Sequence, residues 1–254
     1  MRRMKLMFGT IRNPSGEVLD YTFHAGTEGS RHIAVLGHGV TGNKDRPFVV
    51  ALAEGLAAAG IHALRFSFAG NGASEGRFAD ATISKEVEDL GAVLSALDGY
   101  SVCYVGHSMG GAVGVLRASR DERIHLLVSL AGMVHTHAFA EREFGEEVPD
   151  EGCMWDEPDC PLSQAYMDDM AQIDTVVRRG TEIVVPWLLV HGNEDDVVPI
   201  DDSHDILARA RDNAELVVID GADHVFSEHA QVMVEKVVGW LQGFDLSSAE
   251  GQWV

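Results

Sequence analysis

Cysteine is scarce in this chain, with three among 254 residues. So few, and an odd number, exclude the disulfide framework of a small secreted scaffold. Cys103 lies in an apolar run and reads as a buried small hydrophobe, whereas Cys153 and Cys160 read as two free thiols. Positive charge is scarce too: 19 Lys and Arg stand against 40 Asp and Glu, a net charge of −21. That balance excludes nucleic acid and an anionic membrane surface as partners. No apolar run is long enough to cross a bilayer. Met1-Arg2-Arg3-Met4-Lys5 is basic, but Leu6-Met7-Phe8 is too short for the apolar centre of a secretion signal. The expectation is a soluble, cytoplasmic protein, and the length suits one domain with an ample interior.

The acidic surplus is uneven. Between Glu141 and Asp174 twelve acids face a single base, Arg142, which is about half of the whole excess. This segment reads either as a solvated face or as a field over a binding site that disfavours anionic ligands.

Elsewhere strands and helices alternate. Lys5–Ile11 and Val18–His24 flank the turn sequence Asn13-Pro14-Ser15-Gly16 and predict an opening β-hairpin. Apolar runs at His32–Leu36, Ile61–Phe68, Val102–Val105, Ile124–Leu130, Val184–Val190 and Glu215–Ile219 predict strands. Helical spacing predicts helices from Pro47 to about Ala59, Ser84 to Leu97, Met109 onward, near Asp202–Ala210, and from about Glu228 to Leu241. Continuous apolar strands between helices indicate an α/β fold, with a mostly parallel sheet covered on both faces. The rhythm stops between residues 133 and 182. That stretch reads as an acidic lid inserted into a core made of residues 1–132 and 183–254.

The chemistry concentrates in Gly106-His107-Ser108-Met109-Gly110, a G-x-S-x-G run between an apolar strand and a glycine-rich helix start. A serine pinched in that turn is forced into a strained backbone that lifts its hydroxyl above the sheet, and side chains at the flanking glycines would collide with neighbours. A serine hydroxyl is a weak nucleophile at neutral pH and needs a base, which in turn needs an orienting carboxylate. Two later strand ends supply both types: His191-Gly192-Asn193-Glu194-Asp195-Asp196 and Asp220-Gly221-Ala222-Asp223-His224.

With these motifs in the order Ser, Asp, His, the chain resembles the α/β-hydrolase superfamily. Within it, the sequence is most similar to small bacterial carboxylesterases of the feruloyl/cinnamoyl type, and also resembles monoacylglycerol-lipase-like and serine-aminopeptidase-like relatives. The resemblance runs from about Ile33 to Trp240 and is weak in 134–181. It implies an α/β-hydrolase fold, Ser108 as nucleophile and His224 as base. The H-G-x-x-D-x-x-V-P pattern puts the acid at Asp195, with Asp196 as its rival. The backbone N–H groups of Val40 and Met109 would form the oxyanion hole. Two departures stand out: Val40 replaces a common aromatic residue, and Ser67 a common aspartate, which reads as structural.

The resemblance implies hydrolysis of a small-molecule carboxylic ester, short-chain or aryl, through an acyl-enzyme that needs no cofactor and no metal. Amide or peptide cleavage, thioester hydrolysis and C–C bond hydrolysis share the same catalytic residues. A non-catalytic ligand-binding relative is the reading from another class. Trp155 and Tyr166 are candidates for the substrate pocket, with burial for its own sake as the alternative. His135 and His137 form an H-x-H pair without an identifiable third metal ligand. Exposed apolar residues on the lid or the last helix would allow a homodimer.

Overall fold

The computed structural model describes residues 7–244. Its centre is a seven-stranded sheet in the order β3-β5-β4-β6-β7-β8-β9. The strands are β3 (Tyr21–His24), β4 (His32–Gly37), β5 (His62–Phe66), β6 (Ser101–His107), β7 (Ile124–Leu130), β8 (Trp187–Gly192) and β9 (Ala214–Ile219). All neighbours are parallel except β3, which runs antiparallel to β5 at the edge.

The parallel strands are apolar throughout because both faces are covered. In β4, Ile33 and Val35 enter one buried cluster while Ala34 and Leu36 enter the other; β6 repeats this with Val102 and Tyr104 against Cys103 and Val105. Helices α2 (Ile83–Ala96) and α3 (Met109–Ala118) cover the first face, and α1 (Pro47–Ala58) and α7 (Ala230–Leu241) the second. Pro47 opens α1, where its missing N–H costs nothing, and the Thr82 hydroxyl caps α2 by accepting from Lys85 N–H at 3.2 Å.

The opening hairpin is shorter than its sequence suggests. Only β1 (Ile11–Arg12) pairs with β2 (Val18–Leu19), and the chain then turns into β3 of the main sheet. Lys5 and Leu6, in the expected first arm, lie outside the described residues. Helix α6 (Ile200–Leu207) starts and ends earlier than the expected 202–210.

Between β7 and β8 lie α4 (Thr136–Phe144), α5 (Gln164–Ile173) and two 3-10 turns. This segment is acidic outside but has apolar anchors: Phe139, Phe144, Met154, Tyr166 and Met170 belong to the same buried cluster as the sheet. Asp202 ties its start down, accepting from Val134 N–H at 2.8 Å. Among the described residues, no helix is long and apolar enough to cross a membrane.

Candidate active site

Parallel strands expose their carboxyl ends on one edge, and four loops meet there, after β4, β6, β8 and β9. Strand β6 ends at His107 and α3 begins at Met109, so Ser108 alone makes the turn, at φ 53° and ψ −118°. A non-glycine residue is strained there and persists only when its surroundings over-determine it. Ser108 N–H donates to the Leu130 carbonyl at 3.0 Å, and the Ser108 carbonyl accepts from Gly111 and Met133 N–H at 2.8 and 3.1 Å. The turn is this tight because a Cβ at Gly106 would strike the Gly110 carbonyl, and one at Gly110 the His38 carbonyl.

Asp195 and His224, 29 residues apart, meet through a hydrogen bond of 2.8 Å from His224 Nδ1 to Asp195 Oδ2. The same oxygen lies 3.2 Å from His191 Nε2, and Oδ1 accepts from Val197 and Val198 N–H at 2.9 and 2.8 Å. The Asp195 side chain is fully shielded from solvent. Burial alone would raise its pKa, but the bonds from His191 and His224, the His224 charge and the Val198 N–H outweigh burial and hold it below the usual carboxylate range. Asp196, the rival, is exposed. Its place in the loop turns it outward because neighbouring side chains diverge.

The turn after β4 is braced by His38. Its Nε2 accepts from Phe68 N–H at 3.1 Å, so Nδ1 carries the proton and donates to the Gly39 carbonyl at 2.9 Å. One neutral tautomer satisfies both bonds. Burial pushes the His38 pKa down to about 4, which keeps it in that form near neutrality. The turn presents Val40, half-buried, to the cavity. Met109, at the first position of α3, has no preceding helical turn for its N–H to bond. Ser67 is structural, accepting from Lys44 N–H through its hydroxyl at 3.1 Å.

Ser108, His224 and Val40 line one cavity of about 310 Å³. Its walls are mostly apolar, with Phe48, Trp155, Val197 and Val225. Trp155 is 41% exposed and donates from Nε1 to Glu143 Oε2 at 3.1 Å. Tyr166 corrects the sequence reading: it does not line this cavity. It sits 2% exposed in the core, its ring 6.1 Å from that of Phe144, because the apolar side of α5 packs against α4 and α2. His135 pairs with Asp205 at 2.9 Å and His137 lies 3.7 Å from Glu141, and among the described residues no group of three or more such side chains is placed to hold a metal. All three cysteines are free.

A model of the prolyl oligopeptidase family matches residues 77–244, more than half of the chain. The chain belongs to the prolyl oligopeptidase family. Family and fold place it among the α/β-hydrolase serine hydrolases. Among curated relatives of this family member is the mitochondrial palmitoyl-protein thioesterase ABHD10 of Mus musculus, 24% identical over 72% of the chain. The match spans 65% of that relative's length. Among solved structures, Est1E from Butyrivibrio proteoclasticus, with ferulic acid bound, superposes with a TM-score of 0.83 at 26% identity, over 92% of this chain and 98% of that one. Mouse ABHD10 shares the fold, with a TM-score of 0.77 at 18% identity, over 92% and 98% of the two chains.

Three residues of this prolyl oligopeptidase family member escaped sequence reasoning. His191 supports Asp195, and its place four residues ahead in H-G-x-x-D was the available signal. His107, beside the serine in the motif, reaches with its ring to the loop that carries His224. Arg46 bore no motif at all and lines the cavity.

Proposed function

We propose that this chain cleaves small-molecule carboxylic esters, short-chain or aryl, through an acyl-enzyme. The observation that carries this reading is the 2.8 Å bond from Asp195 to a His224 ring that shares its cavity with Ser108. Asp195 holds the proton on His224 Nδ1, which leaves Nε2 free to act as base. Ser108 Oγ attacks the ester carbonyl as its proton passes to His224. The Val40 and Met109 N–H groups hold the oxyanion. The tetrahedral adduct then expels the alcohol, which takes the proton from His224, and leaves Ser108 acylated. Water, deprotonated by His224, attacks the acyl carbon; the adduct expels Ser108 Oγ, which takes that proton back from His224, and the acid is released. No step draws on a metal or cofactor. Residues 133–182 act as the cap of the site, contributing Trp155 to its wall.

A fluorophosphonate probe tests the mechanism: folded protein should be labelled at Ser108, and loss of ester hydrolysis should track labelling. Labelling elsewhere, or none, would overturn it. A thioester is the second reading, supported by the similarity to a palmitoyl-protein thioesterase. Matched p-nitrophenyl and thiophenyl acyl substrates separate the two through kcat/KM.

A further inference from the structure

The chain carries about twice as many acids as bases, yet among the described residues no Asp or Glu lines its cavity. Among the described residues, the one lining residue with a formal charge, histidines aside, is Arg46. It stands exposed just before α1, where no side-chain capping bond engages it. Its Nη2 donates to the Thr41 carbonyl at 3.1 Å. Thr41 follows Val40, whose N–H is assigned to the oxyanion, so this contact ties the guanidinium to the same turn, in the cavity that Ser108 lines. Among the described residues the Arg46 side chain makes no other hydrogen bond and no ion pair.

Two nearby acids, one next to it in the chain and one at the mouth of the cavity, are engaged elsewhere. Asp45 is held by Lys44 at 2.9 Å and by Arg65. Glu143, near the mouth, is held by Arg142 and by Trp155 Nε1, at 2.9 and 3.1 Å. What remains is an exposed planar fork beside apolar walls, whose geometry matches a carboxylate bidentately.

From this placement we propose that Arg46 receives a carboxylate carried by the substrate, so that the preferred esters are those of acids or alcohols bearing a second, anionic group. The proposal rests on the ester reading above. The acidic outer face does not oppose it at contact distance: a charge more than about 8 Å away is largely screened at physiological salt, whereas a direct bidentate contact draws on hydrogen-bond geometry as well as charge.

Two substrate pairs test it, one for each side of the ester bond: 4-nitrophenyl hydrogen glutarate against 4-nitrophenyl valerate, and 3-carboxyphenyl butyrate against 3-methylphenyl butyrate. In the Arg46→Gln protein, the anionic-to-neutral ratio of kcat/KM should fall about tenfold in at least one pair. Arg46→Lys should recover part of that ratio, and Arg46→Glu should lower it further. A ratio that Arg46→Gln leaves unchanged in both pairs overturns the proposal. Equilibrium binding of the same esters to Ser108→Ala protein, with and without Arg46→Gln, separates the two claims. Selective binding lost with Arg46 sustains the proposal even if Ser108 proves not to be the nucleophile, and equal binding of anionic and neutral esters overturns it even if Ser108 is labelled.

Discussion

His107 donates from Nε2 to the backbone carbonyl of His224 at 2.9 Å, joining the residue before the serine to the residue that carries the imidazole. The two rings lie 4.7 Å apart, and Phe48 packs on the far side of His107 at 4.6 Å. Burial, and then the charge of His224, push the His107 pKa down to about 3, so near neutrality the ring is uncharged and its single proton is committed to that carbonyl. His107→Phe keeps the packing and loses the bond. It should lower kcat by between about tenfold and a hundredfold with a smaller change in KM, because a misplaced base impairs the chemical step more than binding. His107→Gln, which can still donate, should recover part of the loss. Equal kcat in wild type and His107→Phe would show that the bond positions nothing.

Asp195→Asn should leave the fold intact and lower kcat on the order of 10⁴-fold, since an amide NH₂ facing His224 Nδ1 favours the wrong tautomer. Asp196→Asn, on an exposed side chain, should stay near wild type. The two kcat values, with circular dichroism to confirm folding, decide between the adjacent acids.

Glu86 lies on α2, wholly buried, with no hydrogen-bond partner for either carboxylate oxygen. Burial, and then the negative charge of Asp89, raise its pKa well above the usual range. The folded state therefore keeps a proton that the unfolded chain releases above about pH 4.5, so stability from this group falls as pH rises. Glu86→Gln removes that linkage. Its stability advantage over wild type should widen above pH 4.5, by up to about 1.4 kcal/mol per pH unit until the folded pKa is reached. Urea unfolding at pH 5, 7 and 8 reads the slope, and a constant difference would refute the assignment.

His38 and His107 work in the opposite direction. Both are buried and neutral, with pKa values near 4 and 3. Below about pH 6.5 the unfolded chain takes up protons at these residues and the folded chain does not, so stability falls with pH between about 6.5 and 4. Each contributes on the order of 3 kcal/mol over that window. Acid unfolding of His107→Gln should accordingly show a shallower slope than wild type, read by fluorescence against pH.

The alternation of apolar runs and helical spacings was enough to indicate a mostly parallel sheet covered on both faces, because burial on two faces leaves continuous apolar strands. The glycines around Ser108 likewise marked the turn, since close backbone approach there tolerates no side chain. Helices α4 and α5 were not legible: their apolar residues are few and scattered among acids, and they bury those residues against each other and the core only in the tertiary structure. Tyr166 illustrates the same limit, since nothing in its neighbours' identities says which side of α5 faces the core. The support of Asp195 by His191, the bond from His107 to His224, and the isolation of Arg46 depend on contacts between segments far apart in the chain. Sequence spacing constrains such contacts only within one element; loops from four different strand ends acquire their mutual geometry when the sheet brings them to one edge.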